Sequence, residues 1–180
     1  MEQPDLIDRI KEQARANFSR GYNCAECVFE AVLTNIDSGL PPETLKLATG
    51  FGGGVGLFGD TCGAISGAVL AVSAVHGRSE LPEGEDRREV MKQGAQQLYG
   101  NPGLYRIFNQ IPNFIKAKYG SSLCREITRE WHDEWLCRPH ALHCREIITD
   151  AAECAAKLIT ADPAVSGAEP FGENVENLKG

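Results

Sequence analysis

Residues 50–68, GFGGGVGLFGDTCGAISGA, decide both the fold class and the position of a candidate site. The first part is a glycine-rich loop that leads to Cys62, and no charged residue follows before Gly77. We expect Asp60 or Thr61 to cap a helix here and Gly77 to close it, since these residue types favour those positions. Because a helix without a charged face belongs inside a bundle, the stretch predicts a buried central Gly/Ala-rich helix preceded by a glycine-rich loop.

The glycine-rich loop does not have the context of a phosphate-binding loop. No Lys-Ser/Thr pair follows the glycines, and no strand pattern precedes them as a dinucleotide fingerprint requires. Glycines also allow positive φ and close backbone approach, which would present Cys62 at a helix N-terminus. There the dipole and free amides predict a lowered thiol pKa, typical of a nucleophile or a metal ligand. The candidate backbone contacts to the sulfur, or to a group that it holds, are Gly53, Gly54, Gly59 and Gly63.

The rest of the chain shows apolar residues at helical spacing and no convincing strand pattern or internal repeat. It predicts further helices at residues 5–17, 24–36, 42–49, 88–100, 104–120 and 139–159. The length suits one hydrophobic core, so we expect a single all-α domain over residues 1–160. The helical pattern is lost after that, which predicts a tail over residues 161–180 that is mobile or docked on a partner.

Charge and hydropathy exclude several partners. The 180 residues carry a net charge of -7, which leaves no basic surface for nucleic acid. The longest apolar run, residues 64–75, is too short to span a membrane. The first residues lack the apolar run and cleavage site of a secretory signal, so we expect a cytoplasmic protein.

Seven cysteines in a chain without a recognisable export signal are the most informative feature of the composition. In a reducing cytosol, clustered cysteines are metal ligands or redox-active thiols more often than disulfides, and an odd number cannot all pair within one chain. A single cysteine can also be a small buried hydrophobic residue. Cys24 and Cys27 lie one turn apart at the start of the second predicted helix, where Asn23 provides a cap.

Four cysteine segments together resemble a known family. They are GYNCAECV at Cys24, GFGGGVGLFGDTCGAISGAVLAV at Cys62, SSLCREIT at Cys124 and CREIITDAAECAAKLI at Cys144. Over about residues 18–158 the chain resembles the C_GCAxxG_C_C family of redox-active proteins. The resemblance implies a small all-helical protein in which these cysteines are the characteristic ones. A related module precedes the haem region of split-Soret cytochromes, which implies an iron–sulfur or electron-transfer context. The cysteines additional to the pattern are Cys27, Cys137 and Cys154.

Three functions are compatible with these cysteines. The first is electron transfer to a redox partner protein through a thiolate-held iron–sulfur cluster, with zinc as an alternative metal. Its ligands would be Cys24, Cys62, Cys124 and Cys144, and Cys27 could replace or supplement Cys24. The second is a dithiol–disulfide protein without a metal, with Cys62 and Cys24 as catalytic cysteines. The third is a non-catalytic helical interaction module with buried cysteines, and a homodimer is compatible with all three.

The segment WHDEWLCRPHALHC contains a second group of metal-ligand residue types. Cys137, His140, His143 and Cys144 lie in it and His132 is close by, so zinc binding is chemically plausible. These side chains point in different directions along one helix, however. We therefore favour an exposed histidine pair near a helix start over a metal site.

Overall fold

The computed structural model describes residues 3–175 and confirms the all-α class. No β-strand occurs in that range, and every predicted helix is present, although the one predicted at residues 42–49 is a 3₁₀ helix. The α-helices are α1 (Gln3–Ser19), α2 (Cys24–Asn35), α3 (Gly52–Val55), α4 (Gly63–His76), α5 (Arg87–Tyr99), α6 (Leu104–Tyr119), α7 (Cys124–Ile127), α8 (Arg138–Thr160) and α9 (Pro163–Ser166). The 3₁₀ helices are Pro42–Phe51 and Arg129–Glu134.

Helix α4 begins later than the sequence predicts, and its N-cap is Cys62 rather than Asp60 or Thr61. The reason is a long-range backbone pairing that holds the preceding residues in an extended conformation. Thr61 forms an isolated antiparallel bridge with Leu123. The end of α4 is as predicted, since it stops at His76 and is followed by Gly77.

Small residues on α4 let its neighbours approach closely. The helix packs against α2, α6 and α8. A Cβ atom on Gly67 would lie 2.4 Å from the carbonyl oxygen of Ala25, so only glycine fits at this crossing. The buried residues of α4 are Gly63, Ala64, Ile65, Gly67, Ala68, Ala71 and Val72. Although α4 has no charged residue, neither it nor any other helix in residues 3–175 is long and apolar enough to cross a membrane.

A capping box fixes the start of α2. The Asn23 side chain accepts hydrogen bonds from the backbone N–H groups of Ala25 and Glu26, each at 3.0 Å. The Glu26 carboxylate in turn accepts from the Asn23 backbone N–H at 3.0 Å. Asn23 Nδ2 also donates to the carbonyl of Thr49, at the same distance. The first turn of α2, and Cys24 with it, is thereby held against the 3₁₀ helix that leads into the glycine-rich loop.

Helix α8 begins with Pro139 in its first turn and packs against α1, α2 and α4. Its buried side is formed by alanine and isoleucine residues, which allow close packing of the neighbouring helices. Polar contacts add to the packing on the α1 side. Lys11 lies 2.9 Å from Glu153, and Arg15 Nε donates to the Thr149 hydroxyl at 3.0 Å.

The C-terminal segment contacts its own chain, and its predicted docking on a partner stays a prediction. Residues 161–175 include α9 and pack on α6 of the same chain. Asn109 and Asn113 on α6 accept hydrogen bonds from the backbone N–H groups of Gly172 and Glu173, at 2.9 and 2.8 Å. These amide side chains satisfy an irregular backbone that no helical periodicity could predict. The last part of the predicted tail, residues 176–180, lies outside the described residues.

Candidate functional site

Four separate helix starts carry the characteristic cysteines toward one region. Cys24 is the first residue of α2, Cys62 immediately precedes α4, Cys124 is the first residue of α7, and Cys144 lies in the second turn of α8. Three of them, Cys24, Cys124 and Cys144, line one cavity of about 480 Å³, which we call the cysteine cavity. Cys62 does not line it but lies within electrostatic range of Cys24 and Cys124. The fold therefore brings all four thiols together.

Backbone pairing holds Cys62 and Cys124 next to each other. The N–H of Cys62 donates to the carbonyl of Ser122 at 2.9 Å, and the N–H of Cys124 donates to the carbonyl of Asp60 at 2.7 Å. These two bonds flank the bridge between Thr61 and Leu123. The two cysteines thus have fixed backbone positions although they are far apart in the sequence.

The glycine-rich loop approaches the cysteines because it lacks side chains at the points of contact. Gly53 and Gly54 adopt φ values of 64° and 68°, a left-handed conformation that favours glycine. A Cβ atom on Gly54 would lie 2.9 Å from the Cβ of Cys124. One on Gly59, which has a φ of 85°, would lie 2.9 Å from the Cβ of Arg125.

Backbone amides near the site act on the sulfur atoms of two cysteines. The backbone amide of Gly53 lowers the pKa of Cys24 and so favours its thiolate. The amides of Ala64 and Ile65, in the first turn of α4, act in the same direction on the pKa of Cys62, although the Cys62 side chain accepts no capping hydrogen bond. Amides of both the loop and a helix N-terminus therefore favour negative charge on sulfur.

The predicted low pKa of Cys62 is wrong for the metal-free site. Burial, and to a smaller extent a charge on Cys24, raises the pKa of Cys62 to about 12, although the amides of Ala64 and Ile65 act in the opposite direction. The thiol is only 7% exposed, so the loss of hydration of the thiolate outweighs the helix N-terminus. Helix position alone predicted the wrong direction because the sequence does not show burial.

The pKa values of the other three cysteines of the site are raised as well. Burial is the largest cause of the raised pKa of Cys24, of Cys124 and of Cys144. For Cys144, charges on Cys24, Cys62 and Cys124 each raise the pKa further. The four thiols are thus neutral at pH 7 when no cation compensates their charge.

The additional cysteines occupy different places. Cys27 is fully buried in the core, and its thiol donates to the carbonyl of Tyr22 at 3.5 Å. Cys154 lines a separate cavity beside Glu153 and Lys157. Cys137 lines the cysteine cavity, where its sulfur accepts a hydrogen bond from the backbone N–H of His140 at 3.5 Å.

His140 is the residue of this site that the sequence analysis gave too little weight. It lines the cysteine cavity and is only 7% exposed, so the interpretation as one of an exposed histidine pair is wrong. Its Nε2 lies 3.3 Å from the Sγ of Cys144. The spacing of His140 and Cys144, four residues apart on a helix, is the sequence signal that predicts this contact. His143 is half-buried and lines a different cavity.

All seven cysteines are free thiols in the structure. In the described part of the chain, no group of three or more His, Cys, Asp and Glu side chains is already arranged to hold a metal ion. Among the candidates, Cys24, Cys124 and Cys144 share the cavity with His140, and Cys62 lies beside it. Residues of this type suit soft or borderline metals rather than hard cations.

The fold is all-α, and its helix starts and glycine-rich loop bring four thiols together. The protein is therefore a small helical protein with a cysteine-rich site. Comparison with protein families makes the assignment specific. The model of the family described as "Putative redox-active protein (C_GCAxxG_C_C)" matches residues 22–158, and the chain belongs to this family. Comparisons with curated proteins and with solved structures gave no match.

Proposed function

We propose that this protein holds a thiolate-bound metal centre, an iron–sulfur cluster in the first place, and exchanges electrons with a redox partner protein. Cys24, Cys62, Cys124 and Cys144 are the proposed ligands. The observation that carries the proposal is the convergence of these thiols, from four separate segments, within electrostatic range of one another around one cavity. The family to which the chain belongs supports a redox role.

The ionisation of the thiols favours a metal over free thiol exchange. With a pKa of about 12, only about one Cys62 in 10⁵ is a thiolate at pH 7, and the thiolate is the attacking species in exchange. A bound cation changes this balance, because it deprotonates the thiols that coordinate it. A cluster of buried thiols with raised pKa values therefore suits a metal better than it suits a nucleophile.

The backbone amides around the site support the same proposal. The amide of Gly53 lowers the pKa of Cys24, and those of Ala64 and Ile65 lower the pKa of Cys62, so these groups favour negatively charged sulfur. Hydrogen bonds to ligand sulfur stabilise the more negative, reduced form of a cluster and so raise its reduction potential. In this proposal the chain supplies thiolates, amides and shielding from water, and the cluster, when bound, supplies one-electron chemistry.

Iron is favoured over zinc because zinc has no redox chemistry of its own. No three ligands are already placed around a common point, so metal binding must draw the thiols closer together. The cysteine cavity provides room for this movement.

Cys27 is not among our proposed ligands, since its thiol donates a hydrogen bond to the carbonyl of Tyr22 in the core.

The test is the iron, zinc and acid-labile sulfide content of the protein purified without oxygen, together with its visible spectrum. We expect iron, sulfide and a thiolate-to-iron charge-transfer band. Serine substitutions at Cys24, Cys62, Cys124 and Cys144 should each weaken the band. Cys154→Ser is the matched control, because Cys154 lines a separate cavity, and it should leave the band unchanged.

A colourless protein without metal would refute the proposal. Counting free thiols before and after mild oxidation would then separate the remaining functions. A reversible loss of two thiols would indicate a dithiol–disulfide protein, and an unchanged number would indicate a structural role.

A further inference from the structure

His140 has a fixed orientation in the cysteine cavity. Its Nδ1 lies 2.6 Å from the carbonyl oxygen of Trp135. A carbonyl oxygen can only accept a hydrogen bond, so Nδ1 carries the proton of the neutral imidazole. The lone pair is therefore on Nε2, and Nε2 faces the sulfur of Cys144.

This hydrogen-bond arrangement is typical of a histidine that binds a metal. Ligating histidines almost always donate the proton of the other ring nitrogen to a backbone carbonyl or a carboxylate, which fixes the tautomer and the ring direction. The carbonyl of Trp135 has that position relative to His140. The Trp135 ring also packs against the imidazole, with ring centroids 4.2 Å apart, and limits its rotation.

The separation of the two candidate ligand atoms suits a shared metal. A tetrahedral zinc ion with bonds of about 2.3 Å to sulfur and about 2.0–2.1 Å to nitrogen places the two ligand atoms about 3.6 Å apart. Nε2 of His140 and Sγ of Cys144 are 3.3 Å apart. In the metal-free protein the Cys144 thiol donates to Nε2, and a metal ion would take the place of this proton with little movement of either residue.

Two further proposed ligands line the same cavity. Cys24 and Cys124 line the cysteine cavity with His140 and Cys144. His140 is also more deeply placed than the other histidines of its segment, since His132 is exposed and His143 is half-buried. Of these histidines, only His140 lines the cavity.

We propose that Nε2 of His140 is a ligand of the metal centre beside Cys144, so that the site contains an imidazole as well as thiolates. This inference rests on the proposed function, because it needs a metal at the thiols. A neutral imidazole ligand adds no negative charge to a metal site, and the iron–sulfur sites that have imidazole ligands have raised reduction potentials.

The test is direct detection of a metal–nitrogen bond by nuclear magnetic resonance. The full chain, labelled with ¹⁵N and reduced, is loaded with one equivalent of ¹¹³Cd²⁺, a soft ion that accepts both thiolate and imidazole. We expect one histidine Nε2 to show scalar coupling to ¹¹³Cd. The coupling should disappear in His140→Gln and persist in His143→Gln, the matched control, whose ring packs on Trp131 at 4.9 Å.

Bound cadmium without coupling to any imidazole nitrogen would overturn the inference, and so would coupling that survives in His140→Gln. Failure to bind cadmium would also overturn it. If His140→Gln misfolds, resonance assignment of the coupled imidazole in the wild-type spectrum identifies the residue, and assignment to another histidine would overturn the inference. The proposed function is judged separately by the iron and sulfide content, so a protein with a cluster but no nitrogen coupling would refute only the histidine ligand.

Discussion

The Sγ atom of Cys24 occupies the space that a side chain on Gly63 would need. A Cβ atom built on Gly63 would lie 2.6 Å from that sulfur and 2.7 Å from the carbonyl oxygen of Phe51. The first residue of α2 and the first residue of α4 are therefore in close contact at the site. Gly63 is required here for space, because its φ is not in the left-handed range.

We expect Gly63→Ala to damage both the fold and the site. The added methyl must displace Cys24 or the backbone of Phe51, and overpacking of this kind costs about 1–3 kcal/mol. Urea unfolding measures the free energy of unfolding, and metal analysis measures the effect on the site. An unchanged metal content with unchanged stability would contradict the contact.

Two further alanine substitutions separate packing from chemistry. Gly67→Ala would place its Cβ 2.4 Å from the carbonyl oxygen of Ala25, so it should destabilise α4 without contacting a cysteine. Gly50→Ala should be tolerated, since no atom lies within 4 Å of its Cβ position. Under conditions where all three variants are folded, only Gly63→Ala should change the visible spectrum of the proposed metal centre.

We expect Asn23→Ala to lower the free energy of unfolding by about 1 kcal/mol, the usual value of an N-cap. The variant loses both bonds to the first turn of α2 and the bond to Thr49. Thermal or urea unfolding followed by circular dichroism measures the change. Asp86→Ala is the matched control, because Asp86 also caps a helix but that helix, α5, contains no buried residue. Asp86→Ala should lower the global free energy of unfolding less than Asn23→Ala does, because α5 contributes little to the core, and an equal loss would contradict this difference.

We expect the free energy of unfolding to decrease at acid pH because Glu153 becomes protonated. Hydrogen bonds from Lys157 and Lys11 lower the pKa of Glu153 to about 2, from 4.5 in the unfolded chain. Because the folded state holds the carboxylate more strongly, this contribution is complete above about pH 4.5 and is lost as the pH falls toward 2. We expect about 1–2 kcal/mol after allowing for partial exposure to solvent.

The free energy of unfolding of Glu153→Gln, measured between pH 2 and 7, should be lower than wild type near neutrality and should converge with it in acid. Glu146→Gln provides a control. Glu146 forms an exposed ion pair with Arg15 at 3.6 Å, which should contribute only a few tenths of a kcal/mol. Parallel pH profiles for wild type and Glu153→Gln would exclude the proposed linkage.

Substitution of Asn113 should loosen the C-terminal segment. Asn113→Ala removes the acceptor of the Glu173 backbone N–H and the donor to its carbonyl, at 2.8 and 3.2 Å. Loss of one such bond should speed hydrogen exchange of the Glu173 amide by about tenfold. Exchange measured by nuclear magnetic resonance tests this. Lys116→Ala, which removes an exposed ion pair with Glu173, should have little effect.

The longer helices were predictable because each one contains a local signal, whereas the four-residue helices α3, α7 and α9 were not predicted. Asn23 is followed by Glu26 at the spacing of a capping box, and the uncharged residues after Cys62 indicated a helix of the core. The start of α4 was predicted too early, since the pairing of Thr61 with Leu123 is not a local interaction. The same applies to residues 161–175, whose contacts are made by asparagine side chains on α6.

The sequence motifs indicated which cysteines come close together, but they could not indicate the pKa values of these thiols. The cysteine motifs named Cys24, Cys62, Cys124 and Cys144, and the fold brings these four together. The direction of the Cys62 pKa depends on burial, which follows from the packing of several helices. The position of His140 depends on the carbonyl of Trp135, a backbone group that has no signature in the sequence.

The bridge between Thr61 and Leu123 also determines when the site can form during protein synthesis. A nascent chain that has left the ribosome only as far as α5 exposes Cys24 and Cys62 but still lacks Cys124 and Cys144. The four thiols can therefore come together only after α8 has been made and has packed on α1 and α4. Until then the newly made thiols stay unshielded, and we expect them to be more easily oxidised in the nascent chain than after folding.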